Sequence, residues 1–371
     1  MEKCVIIIGG GSMGRAAAWF LSKAKVKTIM IDPLQAPHEN GSHSGYTRII
    51  RKSYFEHLDY VPLLKRSYYW WRQLESSSKI KIYTETGIDY YGEKSSSILK
   101  GIKYASDKYG IPLFHKRQQG YFRTPGDWEQ WFEPEAGYLN VQAAFEAFRV
   151  SSNSQYLTHI REKAISWKII GDYVEVKTAS NTFTGEKIII SSGAWTNNFI
   201  GDSPVSLRTT KQVLAFVHLT DEQTFPFAHM PCWFIHDPEK GMYYGFTMDQ
   251  SIHQGLKIAL HMPGESINPN ALSDDINFSE KNKIIYFMET YLPELKYTSI
   301  DYKVCLYTYS ADENFIIDFL PQTDKKVILS TGFSGHGFKF APVIGEIISK
   351  MAMNESHDFN LGFLKLNRFA V

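Results

Sequence analysis

The feature that most constrains this 371-residue chain lies in its first 32 residues. A short β-branched run, Val5 to Ile8, meets the turn Gly9-Gly10-Gly11-Ser12-Met13-Gly14. Apolar residues at helical spacing follow from Arg15 to Lys23, and a second apolar run from Lys27 ends in Asp32. A β-branched run of that length suits a strand buried on both faces. Gly9, Gly11 and Gly14 stand at G-x-G-x-x-G spacing. The first permits a tight turn, the second lets a pyrophosphate approach the backbone, and the third lets helix and strand pack closely. The N-terminus of the helix, with Ser12 and Met13, faces the anionic phosphates. Asp32 stands where an acid accepts the ribose hydroxyls. Strand, helix, second strand and terminal acid together predict a dinucleotide site on a Rossmann-like α/β fold. The motif alone does not separate FAD from NAD.

The rest of the chain returns to this pattern twice. Gly41 to Arg51 reads as a polar, Gly-rich loop entering a helix, and Tyr60 to Leu74 as a strongly aromatic helix. Tyr138 to Phe148 has helical spacing, while Ala164 to Thr178 and Phe183 to Ser191 read as strands. Lys211 to Leu219, Met242 to Phe246 and Leu256 to His261 read as strands of an antiparallel sheet. Val327 to Ser330 is another buried strand, running into Gly332 to Phe340, and Pro342 marks the start of a final helix through Met351. The length suits two domains. The predicted arrangement is a discontinuous nucleotide-binding domain from residues 1–82, 136–210 and 305–371. A substrate domain is formed by residues 83–135 and 211–304.

A formal net charge of +1, with acids and bases interspersed, gives no footprint for nucleic acid or an anionic membrane surface. Cys4, Cys232 and Cys305 are too scattered for a disulfide framework or a metal pattern, which suits a reducing compartment. No signal peptide and no membrane-length apolar run is visible, so a cytoplasmic protein is expected.

Two segments carry a more specific likeness. The loop Gly41-Ser-His-Ser-Gly-Tyr-Thr-Arg-Ile-Ile-Arg51 is one. The other is the C-terminal set of Cys305-Leu-Tyr-Thr308, Asn314-Phe-Ile-Ile-Asp318 and Gly332-Phe-Ser-Gly-His-Gly-Phe-Lys339. They resemble the monomeric sarcosine oxidase family, which includes N-methyltryptophan oxidase and pipecolate oxidase, within the D-amino acid oxidase group. The resemblance covers essentially the whole chain. It implies FAD rather than NAD, and a D-amino acid oxidase-like fold with an antiparallel-sheet substrate domain. The implied reaction oxidises a small secondary amine bearing a carboxylate to an imine, with O2 reduced to H2O2 by a monomer.

The resemblance also implies roles. Cys305 matches the cysteine that carries FAD as an 8α-thioether; in isolation it reads as a small buried hydrophobe. Ser42, Gly335 and Gly337 fall in the cofactor-binding segments. The Gly332–Gly337 turn is placed to stabilise charge on the reduced flavin through backbone N–H groups. Arg51 and Lys339 match the pair that holds the substrate carboxylate, and Arg48 a basic residue against the flavin. Lys257 interrupts an apolar strand and by alternation alone belongs on the wet face; the resemblance turns it toward the flavin, where a cation favours electron transfer to O2. His261 matches a substrate-side histidine, and Tyr244 and Tyr307 match aromatic walls. Where the family loop often reads Ser-His-His-Gly-Asp-Thr-Arg, this chain has Ser44 and Tyr46, which removes an imidazole near the flavin. Three alternatives stay open: a dehydrogenase of the same fold that passes electrons to a quinone or protein, a redox-silent flavoprotein, and an NAD(P)-dependent dehydrogenase, which a flavin absorption spectrum would exclude.

Overall fold

A computed structural model describes residues 4–116, 121–201, 203 and 205–369. Its centre is a six-stranded sheet in the order Ile316–Phe319, Val327–Thr331, Lys187–Ile190, Cys4–Ile8, Lys27–Ile31, Leu157–Ile160. All neighbours run parallel except Ile316–Phe319, which is antiparallel to Val327–Thr331.

The first strand is apolar at consecutive positions because both faces are covered. Val5 and Ile7 belong to the core shared with the helices Ser12–Lys23, Tyr60–Ser78, Val141–Ser151 and Ala341–Met353. Ile6 and Ile8 join Val174 and Val176 in a second core, under the antiparallel strands Ser166–Ile170, Tyr173–Lys177 and Thr182–Gly185. With side chains alternating along a strand, such a run is stable only between two layers.

A second sheet has eight strands, in the order Tyr297–Tyr309, Arg208–Leu219, Leu256–His261, Gly241–Gly245, Cys232–Asp237, Ile88–Glu93, Trp128–Glu133, Phe114–Lys116. The antiparallel pairing expected for its middle strands is present. One pair, Cys232–Asp237 with Ile88–Glu93, is parallel. None of the helices among the described residues is long and apolar enough to cross a membrane.

Several local expectations need correction. The segment before Arg51 does not enter a helix: Thr47–Ile50 is a strand pairing antiparallel with Gly137–Asn140. Its β-branched Thr47, Ile49 and Ile50 are buried there, which favours extended backbone. The helix expected from Tyr138 begins at Val141, because Asn140 caps it: its Oδ1 accepts the Ala143 N–H at 3.0 Å. The run from Ala164 to Thr178 folds back on itself at Gly171, and that from Phe183 to Ser191 divides between two sheets. The final helix is preceded by a 3-10 turn, Phe338–Phe340, which carries Lys339.

Candidate active site

A cavity of about 510 Å³ runs from the glycine turn after the first strand to Lys339, between the central sheet and the eight-stranded one. The glycine turn is shaped for a phosphate. Gly11 begins the first helix without a side-chain cap, so first-turn amides such as those of Ser12 and Met13 stay available. A Cβ on Gly14 would lie 1.9 Å from the Gly9 carbonyl oxygen, so only glycine permits this approach. A Cβ on Gly11 would meet only His43 Nδ1, at 3.9 Å, so that stretch of backbone is open to a diphosphate. Asp32 is held by two amides: Oδ2 accepts the Gly10 N–H at 2.6 Å and Oδ1 the Leu34 N–H at 2.9 Å. Its remaining lone pairs face a cavity whose wall it forms, as a ribose partner requires.

Further along, Arg48 folds its own loop. Its guanidinium donates to the carbonyls of Thr47 at 2.8 Å and Ser42 at 2.9 Å, and to that of Ser44. The Ser44 hydroxyl donates to the Val304 carbonyl at 3.1 Å and so ties the loop to the strand that carries Cys305. Cys305 is fully buried; burial pushes its thiol pKa up, while Arg48 and Lys257 pull it down. Lys257 is only 1% exposed, with strand faces covered on both sides, so alternation alone gives the wrong answer for it. Its ammonium donates to the Thr47 carbonyl at 2.8 Å and lies 4.5 Å from the Phe246 ring. Burial first, and Arg48 second, push its pKa well below the usual lysine range. Cys305 and Lys257 are not wall residues; Arg48, which is one, acts electrostatically on both.

At the far end the structure brings Arg51, Lys339, His261, Tyr244 and Tyr307 to one stretch of wall. Arg51 is 2% exposed and packs over the rings of Tyr54 and Phe55, at 4.4 and 4.6 Å. Lys339 donates to the His336 carbonyl at 2.9 Å. Burial, then Arg51, lower its pKa to about 7 against the opposing pull of Glu56. Burial likewise lowers His261 to about 4, with Glu56 opposing and Lys339 and Arg51 adding to the effect. The Tyr244 and Tyr307 hydroxyls meet at 3.3 Å. Gly335 sits against Tyr307 with a left-handed φ of 79°; a Cβ there would lie 2.2 Å from the ring. Gly335 and Gly337 line the cavity, and among the described residues neither N–H has a backbone partner. Both are therefore available to an acceptor.

Glu56 is the residue that sequence reasoning missed. Its Oε1 pairs with the Arg51 guanidinium at 2.7 Å. Arg51 Nε and Glu56 Oε2 have no hydrogen-bond partner among the described residues. The available signal was an acid five residues after Arg51, directly behind Tyr54 and Phe55. The pair leaves a buried cation in the cavity wall beside Lys339, which suits a carboxylate ligand.

The site as a whole fits FAD at one end and a small anionic molecule at the other. Residues 4–351 match the family model described as "FAD dependent oxidoreductase". The chain is 32% identical over 384 residues to a monomeric sarcosine oxidase of Bacillus sp. (strain NS-129), covering 99% of this chain and 97% of that protein. It is 29% identical over 380 residues to the N-methyl-L-tryptophan oxidase of Yersinia pestis (strain Pestoides F), covering 100% of both. Among solved structures, it superposes on NikD, an amino acid oxidase, with a TM-score of 0.83 at 19% identity, covering 98% of each chain. L-proline dehydrogenase from P. horikoshii gives 0.83 at 17% identity, covering 99% of this chain and 98% of that one. Those two likenesses bear on the fold alone. The glycine turn, the acid that faces it and the full-length match make this chain a member of the FAD-dependent oxidoreductase family that contains the monomeric sarcosine oxidases.

Proposed function

We propose that the chain oxidises a small secondary amino acid, N-methylated or cyclic, to its imine, with O2 reduced to H2O2. It acts as a monomer in the cytoplasm and holds FAD covalently through Cys305. The observation that carries this reading is the buried pair of cations, Arg51 and Lys339, on the same wall as His261, Tyr244 and Tyr307. Bound in the cavity, FAD supplies the acceptor for the two electrons that leave the substrate's C–N centre.

The chain's own residues do the rest. Arg51 and Lys339, both in the cavity wall, grip the substrate carboxylate and fix the orientation of the amine. Glu56 must share Arg51 with that carboxylate. His261, neutral at physiological pH, offers the amine a partner without adding charge. Tyr244 and Tyr307 close the wall against water. Lys257, when protonated, offsets the negative charge that builds as O2 takes up electrons. The two-domain reading assigns 1–82, 136–210 and 305–371 to FAD and 83–135 and 211–304 to substrate, so Arg51, Tyr307 and Lys339 reach the substrate from the FAD segments. Two long strands, Arg208–Leu219 and Tyr297–Tyr309, run across its boundaries.

The test is a peroxide assay of the purified protein with sarcosine, N-methyltryptophan, pipecolate and proline. Peroxide with at least one of them, suppressed by a methylthioacetate, is the expected result. A same-fold dehydrogenase is the second reading, favoured by the loss of proton affinity at Lys257. It requires anaerobic bleaching of the flavin by substrate with little peroxide in air. If no secondary amino acid bleaches the flavin, both readings fail.

A further inference from the structure

His43 has no part in the site as described so far. Its side chain is 5% exposed, packed edge-on against His38 with ring centroids 4.6 Å apart and tilted on Phe145 at 4.9 Å. Nε2 faces the backbone N–H of His38 at 3.1 Å and must accept from it, which puts the ring proton on Nδ1. Burial, aided by His38 and Arg48, lowers the imidazole pKa to about 3, so the ring is neutral under ordinary conditions.

The donor this leaves is unused. Among the described residues Nδ1–H has no hydrogen-bond partner, yet it is not sealed in the core. It lies 3.9 Å from where a Cβ on Gly11 would stand, and the residue lines the cavity. His38, also in the cavity wall, has an Nδ1 that lacks a partner too, but that atom is buried from solvent. A fixed donor that opens into the cavity beside the phosphate turn gains an acceptor when a phosphate oxygen arrives. We propose that His43 is a diphosphate-binding residue, whose Nδ1–H donates to a phosphate oxygen of FAD alongside the Ser12 and Met13 amides.

This rests on the FAD reading, not on covalent attachment or on the identity of the amine. The neighbouring glycine fits the role. A Cβ on Gly41 would lie 2.6 Å from His43 Cε1 and 2.9 Å from Nδ1, so a side chain there would displace the ring. Held between His38 and Phe145, the ring loses little freedom when it binds, which makes it a preorganised donor.

The experiment uses the full-length Cys305→Ser chain, stripped of flavin and titrated calorimetrically with FAD, ADP and adenosine. His43→Phe keeps a ring of similar shape and removes the N–H. His43→Asn puts an amide N–H near the Nδ1 position. Both lose the acceptor for the His38 N–H, so that loss is common to them. His43→Phe should weaken FAD and ADP by about tenfold or more and leave adenosine within about twofold. His43→Asn should recover most of the difference. Three results would overturn the proposal: ADP bound as well by His43→Phe as by the parent, adenosine weakened as much as ADP, or His43→Asn as weak as His43→Phe. If the parent binds neither FAD nor ADP, the FAD reading itself is at fault, and the proposal falls with it.

Discussion

Titrating ligand affinity between pH 6 and pH 8 puts the cation pair to a direct test. The Lys339 amine has a pKa of about 7 in the ligand-free protein, lowered by burial and then by Arg51. Its charged fraction is therefore about 90% at pH 6 and about 10% at pH 8. A methylthioacetate is an anion throughout that interval and binds the charged amine. Its Kd should rise about tenfold from pH 6 to pH 8, equivalent to about 1.4 kcal/mol. The direction follows from the lowered pKa: affinity is present below about 7 and is lost as the amine deprotonates above it. Other groups at this end keep their charge across the interval. Arg51 is held firmly protonated by Glu56, and Glu56 is held ionised by Arg51 against the effect of burial. His261 and His336 stay neutral, with pKa values of about 4 and about 3. Lys257 and Lys187 also have lowered proton affinity, and a variant separates Lys339 from them. Lys339→Met should bind the inhibitor about 10- to 100-fold more weakly at pH 6, as expected on removing one charge-assisted partner, and its Kd should no longer change with pH. Perturbation of the flavin absorption at several pH values reads the Kd in both proteins. A flat wild-type profile, or an unchanged slope in Lys339→Met, refutes the reasoning.

Three further outcomes are expected. Acid precipitation should leave the yellow chromophore with the protein pellet, and Cys305→Ser should release it; free flavin from the wild type would end the covalent assignment. Lys257→Met should slow aerobic reoxidation of the reduced enzyme by about 10²-fold or more while changing anaerobic reduction far less, the size seen on losing one preorganised electrostatic group. Equal reoxidation rates in stopped flow would leave Lys257 a buried loop anchor for Thr47. Gly335→Ala must place a methyl group against Tyr307 at a left-handed backbone position, and should cost about 2 kcal/mol or more in denaturant unfolding. A value near zero would mean that the turn can move away from the ring.

The sequence was most readable where one local pattern meets one physical demand. The glycine turn, the strand before it and Asp32 are set by contacts within a few tens of residues, and each stands where expected. The cations Arg51 and Lys339 were found through motif likeness rather than through any local rule. Pairings between distant segments left weaker traces. Thr47–Ile50 gained its extended form from Gly137–Asn140, almost ninety residues away, which a loop-like composition concealed. The parallel pairing of Cys232–Asp237 with Ile88–Glu93 is equally non-local. Glu56 was missed for a different reason: an acid ahead of a helix usually reads as solvated, and only the fold shows that it faces a buried arginine.

The order of the central sheet has a consequence for synthesis. The strand Cys4–Ile8 finds Lys27–Ile31 at once, but its other neighbour, Lys187–Ile190, emerges much later, and the covering helix Ala341–Met353 later still. From residue 31 to residue 341 is 310 residues, which at about 5–20 residues per second takes roughly 15–60 s. Through that interval the face of the helix Ser12–Lys23 that the last helix covers, around Ala16 and Ala17, has no permanent cover. Nascent chains of this protein should therefore depend on chaperones more than their size suggests. Fragments ending before residue 341 should aggregate rather than survive as a smaller FAD-binding unit.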